Sequence, residues 1–232
     1  MTFVNYPQSG YSGAMNDLNP LAVAKQPTQL RAVKRFDRVV AEAEALLIEK
    51  GLSGFSIPLL AERLRYTRGS VYVYFPTHYA ILNELASRYL AQLEGAFQSR
   101  AAELARMNLR EAIEAIIDQA ISFYKAHPVA ALLILGGAVT DDSYRAQEMT
   151  NQRLGNLGRA LWQQKGLVLP TVPADIATLA VDIGTACMRR SYFAHGKITR
   201  AYRDAAIAAM VAFLGPYAKA LAAPRPARPK AP

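Results

Sequence analysis

The stretch SIPLLAERLRYTRGSVYVYFPTHYAIL, residues 56–82, decides the fold of this chain. Residues 57–64 place their apolar side chains on one helical face, and a second, shorter helix is predicted from Arg68 to about Phe75. Pro76 ends that helix, because proline has no N–H to donate and disfavours helical geometry in the residue before it. Two short helices joined by a tight turn form the shape that enters the major groove of DNA.

The second helix is predicted to present polar side chains to DNA. Ser56 and Thr67 are placed to cap the two helices, and their hydroxyls can also reach phosphate, although capping alone is the simpler explanation for both. Gly69 is small enough to let the positive end of the helix approach a phosphate closely. Arg68 suits a guanine edge or a phosphate, whereas Val71 is expected to pack in the core. The predicted DNA contacts are Ser56, Arg65, Thr67, Arg68, Gly69, Ser70, Tyr72, Val73, Tyr74 and His78.

These residues resemble the helix-turn-helix of TetR-type transcriptional regulators. In that family a small residue, a basic residue, glycine, a small residue, an aliphatic residue and tyrosine follow one another, as in TRGSVY at 67–72. An aromatic pair and a helix start come next, as in YFPT at 74–77, and the pairs at 50–51 and 55–56 also stand where the family expects them. The resemblance is specific over residues 34–85 and only architectural beyond them.

Two positions depart from the family pattern. Arg65 stands where the turn usually has glycine, so the turn must be reachable by a residue with a Cβ atom. His78 replaces the lysine that opens the next helix, and a histidine is charged only part of the time near neutral pH. A plain helix start explains His78 equally well. By resemblance, Tyr72, Tyr74 and the position of His78 contact the DNA backbone, and we assign base reading to positions 68, 70 and 73.

The composition indicates a folded protein with a polyanionic partner. Of the 232 residues, 52% are hydrophobic, which is enough to bury a substantial core. The 27 Lys and Arg residues exceed the 18 Asp and Glu residues, which gives a net charge of +9 and favours a polyanion such as DNA. The longest apolar run, 129–139, has 11 residues, whereas about 20 are needed to cross a bilayer.

Cysteine content and the N-terminal sequence favour a cytoplasmic protein. Cys187 is the only cysteine, which excludes an internal disulfide and a CxxC metal site. No apolar segment of the kind found in signal peptides precedes the first basic residue, Lys25. We therefore expect a cytoplasmic location and no membrane partner.

The helical pattern extends to residue 222, without alternating strand patterns or repeats. Gly51 is expected to end the first helix, and Asn108 with Glu111 predicts a capped helix start. A long helix is expected from Thr77 to Arg106, and the apolar run 129–139 predicts a buried core helix. We predict an all-α fold of about nine helices. Its expected parts are a flexible N-terminal arm at 1–27, a three-helix DNA-binding domain at 28–76, a larger helical effector-binding and dimerisation domain at 77–222, and a basic proline-rich tail at 223–232. The helices within 174–222 are apolar on more than one face, so they predict a homodimer through a four-helix bundle, as the resemblance also implies.

The resemblance further implies a repressor whose small-molecule effector binds the larger domain and releases DNA. Few charges occur in the segments that would form a pocket, so we expect an apolar or aromatic effector. Asp182 shares a face with Thr178, Thr185 and Arg189, which form either a polar handle for the ligand or a solvated stripe. The remaining candidates are side chains that also form ordinary cores. The predicted pocket residues are Phe123, Tyr124, Met149, Trp162, Asp182, Met188 and Tyr192.

Catalysis is not expected from this sequence. His127 and His195 precede helix ends, where a cationic imidazole suits the helix dipole, and Cys187 has the surroundings of a small buried apolar residue. No HExxH, GxSxG, GxxxxGK[ST] or glycine-rich dinucleotide loop occurs. We therefore expect no cofactor.

Two alternatives to a ligand-controlled regulator remain open. One is a protein of the same fold that organises DNA or recruits a partner without a small-molecule switch. The other is a protein that binds RNA or a membrane surface through basic segments, namely Lys25, Arg31, Lys34 and Arg35 near the motif and Arg225, Arg228 and Lys230 in the tail.

Overall fold

The computed structural model describes residues 20–137, 141–164 and 168–222, and these residues form helices and turns with no strand among them. This confirms the predicted all-α fold, and none of the described helices is long and apolar enough to cross a membrane. The helices are α1 (Leu30–Lys50), α2 (Ile57–Leu64), α3 (Arg68–Tyr72), α4 (His78–Ser99), α5 (Ala101–Leu104), α6 (Leu109–Ala126), α7 (Pro128–Ala130), α8 (Asp141–Gln164), α9 (Ile176–His195) and α10 (Arg200–Ala222).

The chain divides into two compact units, and the division falls inside α4, between Ser87 and Arg88. Of the described residues, the first unit contains 20–87 together with 141–144, and the second contains the others. The sequence places the domain boundary earlier, at residues 76–77, because a proline and a capping threonine mark the start of a helix. The boundary of a compact unit depends on which residues pack together in space, so it can lie within a helix.

The core of the first unit holds the three N-terminal helices together. Phe36 of α1 stacks on Phe75, with ring centroids 4.7 Å apart and planes inclined by 27°. Val39, Leu60 and Val71 complete this core, and all five side chains are almost completely buried. Burial of a large apolar side chain contributes about 1.5–3 kcal/mol. This core therefore fixes the helices that carry the predicted DNA contacts.

The turn between α2 and α3 is closed by a non-glycine residue in the left-handed region. Arg65 has φ 54° and ψ 39°, and it is the only non-glycine residue with positive φ in the described part of the chain. Its N–H donates to the carbonyl of Glu62 (3.0 Å), and the N–H of Tyr66 donates to that of Ala61 (2.9 Å). A residue with a Cβ atom does reach this turn, at a conformational cost of about 1–2 kcal/mol.

The second helix of the motif is short. It was predicted to run to about Phe75, but α3 ends at Tyr72. Helix-like hydrogen bonds continue beyond that end, because the N–H of Phe75 donates to the carbonyl of Val71 at 3.0 Å. The tightening of the last turn ahead of Pro76 explains the difference.

The described part of the predicted N-terminal arm packs against the first unit. The N–H of Lys25 donates to the carbonyl of Tyr74 at 2.7 Å. The hydroxyl of Thr77 donates to the carbonyl of Leu21 at 2.7 Å, and the Asn83 amide donates to that of Ala22 at 2.9 Å. Residues 20–27 thus form a docked segment, whereas residues 1–19 and the tail at 223–232 lie outside the described part.

The second unit is built on α6, α9 and α10, and α10 packs against both of the others. A capping box opens α6 as predicted: the Asn108 side chain accepts from the N–H of Glu111 (2.9 Å), and the Glu111 carboxylate accepts from the N–H of Asn108 (3.0 Å). Arg203 of α10 donates to Asp118 of α6 at 2.7 Å. This hydrogen bond holds the pKa of the Asp118 carboxyl below its usual range.

Two helix predictions in the second unit were wrong. The long helix expected from Thr77 to Arg106 is interrupted at Arg100, which has φ −101° and ψ 4°. The Arg100 side chain there donates to Glu103 and to Gln119 of α6, so tertiary contacts override a continuous helical pattern. The helix expected over 129–139 is α7 followed by a π-helical turn, Ala131–Leu135, and it stops before Gly136-Gly137. Gly137 has φ 111°, which ends the helix, and Val139 lies outside the described residues.

We predict that Arg65→Gly stabilises the protein by about 1 kcal/mol, because glycine adopts positive φ without a Cβ clash. The measurement is a thermal unfolding curve, with Tm expected to rise by about 2–4 °C. Arg65→Ala is the control, since it keeps the Cβ atom and should not stabilise. Equal stabilisation by both variants would show that the arginine side chain, and not the backbone conformation, carries the cost.

Candidate functional site

The helix α3 has one buried face and one exposed face. Val71 is completely buried and holds α3 against the rest of the first unit. On the other side, Arg68 and Gly69 at the N-terminal end are exposed, and Tyr72 and Val73 are 45% and 60% exposed. The predicted contacts of α3 therefore share one exposed surface. That surface belongs to a single short helix, which the major groove of DNA can admit.

Hydroxyl groups at the helix starts act as caps. Thr67 Oγ1 accepts from the N–H of Ser70 at 3.2 Å, and the two hydroxyl oxygens lie 2.7 Å apart. Ser56 Oγ accepts from the N–H of Leu59 at 3.4 Å. One hydroxyl hydrogen joins Thr67 to Ser70, so the pair retains a second hydrogen that can be donated to a phosphate oxygen.

The remaining predicted contacts lie at the margins of this surface. Arg65 is exposed at the turn. His78 is exposed at the start of α4, where its ring lies 3.9 Å from the ring of Tyr79. Tyr74 is half-buried, and its ring packs edge-on against Phe36 with centroids 5.9 Å apart. Tyr74 therefore offers DNA less surface than Tyr72 does.

A basic group beside the motif was only partly foreseen from the sequence, which singled out Arg35 but not Arg38. The guanidinium groups of Arg35 and Arg38, one turn apart on α1, lie 5.7 and 5.9 Å from the ring centre of Tyr66. Both cations therefore lie over Tyr66, which follows the turn and stands two residues before Arg68 in the sequence. The spacing of Arg35 and Arg38 was visible, but no sequence pattern indicates that Tyr66 lies beneath them.

The second unit contains a mostly apolar, partly open cavity of about 100 Å³. Among the described residues, none that lines the cavity is charged. The lining residues come from α4 and α5 (Leu90, Leu93, Phe97, Leu104), α6 (Ile113, Ile116, Ile117, Ala120, Tyr124), the π-helical turn (Ile134), α8 (Gln147, Asn151, Leu154, Leu157, Gly158, Leu161, Trp162), Leu169, α9 (Ala177, Ala180, Val181, Gly184, Thr185, Met188) and α10 (Met210, Leu214).

The predicted pocket residues divide into two groups around this cavity. Tyr124, Trp162 and Met188 line it. The others are not lining residues: Phe123 packs on Tyr124, Tyr89 and His127, Asp182 accepts a hydrogen bond from Asn151, and Met149 and Tyr192 are half-buried elsewhere.

Two buried carboxamides of α8 in this wall were missed by the sequence reasoning. Gln147 and Asn151 are only 4% and 6% exposed. They lie one turn apart on the face that also carries Leu154, Gly158 and Leu161. The sequence did contain a signal for them, because Gln147 and Asn151 interrupt a series of apolar residues at helical spacing. The polar face around Asp182 in α9 was the more conspicuous pattern and was chosen instead.

The outer faces of α9 and α10 expose apolar side chains. On α9, Leu179 and Phe193 are 39% and 79% exposed, and the guanidinium of Arg190 lies 5.8 Å from the Phe193 ring centre. On α10, the exposed positions are mostly small residues, namely Ala201, Ala205, Ala208 and Ala212. Such a face permits close approach of another helix.

Within the described ranges, no group of three or more His, Cys, Asp or Glu residues could hold a metal ion. Cys187 is half-buried, and burial raises the pKa of its thiol, which disfavours the reactive thiolate.

Comparisons with known proteins show which other proteins share this sequence motif and this fold. The sequence model described as "Bacterial regulatory proteins, tetR family" matches residues 39–85. No curated sequence is significantly similar to the chain. A TetR-family transcriptional regulator from Streptomyces coelicolor shares the fold with a TM-score of 0.59 and 19% identity, over 79% of this chain and 99% of that one.

Two further solved structures with the same fold carry more specific names. FadR from Bacillus subtilis, a transcriptional regulator in complex with stearoyl-CoA, has a TM-score of 0.59 at 12% identity, over 77% of this chain and 98% of that one. SmeT, the repressor of the Stenotrophomonas maltophilia multidrug efflux pump SmeDEF, has a TM-score of 0.53 at 14% identity, over 76% and 88%. Residues 39–85 thus match the sequence model of the tetR family, and the chain shares its fold with solved regulators of that family.

Proposed function

We propose that the protein is a repressor that binds a palindromic operator as a homodimer and is released by a small, mostly apolar effector. The observation that carries the DNA-binding part is the exposed surface of α3, which presents Arg68, Gly69, Tyr72 and Val73 while Val71 is buried. Arg68 is assigned to base or phosphate recognition. Tyr72 and the Thr67–Ser70 hydroxyl pair are assigned to phosphate.

We assign the dimer interface to α9 and α10. One copy of α3 contacts too few base pairs for tight specific binding, so two copies spaced about one helical turn of DNA, roughly 34 Å, are required. The apolar outer faces of α9 and α10, which include Leu179, Phe193 and Ala208, would be buried by pairing with the same helices of a second chain. A four-helix interface of this kind accounts for exposed residues that a monomer has no reason to keep apolar.

The proposal of a small effector is based on the cavity of the second unit. At about 100 Å³ the cavity is smaller than the engineered apolar cavity of about 150 Å³ that accepts benzene, so an effector of that size would have to enlarge it on binding. A ligand that binds the non-DNA-binding conformation more tightly shifts the protein towards it and releases the operator. The cavity also favours this function over a DNA-organising protein without a switch, since such a protein needs no ligand-sized space in its interior.

We predict that Arg68→Ala weakens operator binding about 10-fold or more and reduces its dependence on salt, because it removes a cationic contact to DNA. The measurement is fluorescence anisotropy with a palindromic site selected from random DNA. Arg106→Ala, which removes an exposed arginine of the second unit, is the matched control and should bind normally. Unchanged specific binding by Arg68→Ala would remove Arg68 from the reading surface.

We predict that His78→Lys tightens operator binding about 5-fold, because lysine is a permanent cation that can pair with a phosphate at this position. Fluorescence anisotropy measures the change, and Gln98→Lys, which adds the same charge at an exposed site of α4 in the second unit, is the matched control. Equal operator binding by wild type and His78→Lys would show that position 78 serves only as a helix start.

We predict that Ala208→Glu converts the dimer to a monomer and lowers operator affinity by more than 10-fold, because it places a charge in the buried centre of the pairing helices. Analytical ultracentrifugation measures the first effect and anisotropy the second. Ala91→Glu makes the same change at an exposed site of α4 and should remain dimeric. A dimeric Ala208→Glu variant would rule out pairing through this face of α10.

A further inference from the structure

Two carboxamides stand side by side in the cavity wall, whose other polar groups belong to Tyr124, Thr185 and Trp162. Gln147 and Asn151 lie one turn apart on α8, and both are more than nine-tenths buried. A carboxamide can both donate and accept hydrogen bonds, so the part of it that has no partner in the protein is available to a ligand in the cavity.

The hydrogen-bond donors of both carboxamides point away from a ligand. Asn151 Nδ2 donates to Asp182 Oδ1 at 2.8 Å. Gln147 Nε2 donates to the carbonyl oxygen of Ile134, in the π-helical turn, at 3.4 Å. A carboxylate and a carbonyl can only accept, so these partners fix which end of each carboxamide is the amide nitrogen. Among the described hydrogen bonds, neither carboxamide oxygen accepts one. The wall therefore offers acceptors to the cavity.

The charges behind this wall also favour a donor. Asp182 and Glu148 lie near Arg189, so two carboxyls accompany one guanidinium. Burial raises the pKa of both carboxyls, and each carries a smaller lowering effect from Arg189. Arg189 does not line the cavity, and its buried Nε has no hydrogen-bond partner among the described residues. The donors on the cavity wall itself are uncharged, namely the hydroxyls of Tyr124 and Thr185 and the indole N–H of Trp162. A ligand carboxylate at Asn151 would also bring a negative charge towards Asp182.

We propose that the effector is a small apolar molecule whose head group donates a hydrogen bond, an alcohol or an amine, to the side-chain oxygens of Gln147 and Asn151. A carboxylate head is disfavoured, because at Asn151 it would bring a negative charge towards the Asp182 carboxyl. This inference rests on the proposed function, and it adds the chemical class of the ligand and the residues that select it. The bond of Gln147 to Ile134 is longer than an ordinary N–H···O bond, so the Gln147 side chain can adjust to a ligand without losing a strong contact.

The protein contains its own reporter for this test. Trp162 is the single tryptophan of the chain and lines the cavity. Its fluorescence can be followed while full-length protein is titrated with three probes of matched length: hexan-1-ol, which donates a hydrogen bond; methyl pentyl ether, which only accepts; and hexanoate, which is anionic. We expect Kd for hexan-1-ol to be at least about 10-fold lower than for the other two.

Substitutions locate the selectivity. Gln147→Leu conserves volume and should weaken hexan-1-ol binding about 5- to 10-fold while leaving methyl pentyl ether unchanged. Gln152→Leu changes an exposed glutamine on the same helix and should keep the wild-type preference. Ala180→Phe fills the cavity and should abolish the response to every probe, with Ala177→Phe as a second filling variant if the first fails to fold.

The outcomes separate this inference from the proposed function. Equal affinity for all three probes, or a preference that survives Gln147→Leu, overturns the donor assignment and leaves an apolar effector in the cavity standing. Hexanoate binding more tightly than hexan-1-ol overturns it as well. A hexan-1-ol response that persists in the filled variants places the ligand elsewhere and overturns the site. Operator binding and its loss in Arg68→Ala do not depend on any of these results.

Discussion

The stacking of Phe75 on Phe36 is the contact on which the DNA-binding unit depends. α3 is too short to be stable alone, because an isolated helix of fewer than about 12 residues is marginal in water. Its position comes from Val71 in its last turn and from Phe75 just beyond its C-terminal end, which are both buried in the core with α1 and α2. Removal of a buried phenylalanine costs about 3–5 kcal/mol, which is a large share of the stability of an ordinary domain. The exposed residues of α3 are thus held in place by residues that cannot touch DNA.

The second unit uses its interior differently. Most of its core is apolar, but the region around Gln147, Asn151 and Asp182 spends stability on buried polar groups. The π-helical turn beside it is a second irregularity, and such turns are found frequently at functional sites. The two features meet at Ile134, whose carbonyl accepts the Gln147 side chain. A region that combines irregular backbone with buried polar groups is the part of the core least suited to a purely structural role.

The sequence predicted local structure well where the signal was local. The caps at Ser56, Thr67 and Asn108 and the terminator Gly51 depend on residues within one turn, and each was readable from the chain. The break at Arg100 and the docking of residues 20–27 were not, since they depend on partners far along the chain. The cavity wall was only partly foreseen for the same reason. Aromatic and methionine side chains at helical spacing suit a core and a pocket equally, and only the packed fold separates Trp162 from Phe123.

The docked segment has a consequence for the order in which the first unit forms. The carbonyl oxygen of Ala22 accepts a hydrogen bond from the side-chain amide of Asn83, which lies 61 residues further along the chain. During synthesis this segment leaves the ribosome before α3 and α4, yet its binding surface exists only after α3 and the start of α4 have followed. Closing so long a loop is slow relative to forming the local helices. Residues 20–27 are therefore fixed later than the helices that follow them in the chain, and the hydrogen bonds that hold them should exchange their protons sooner than those of α1.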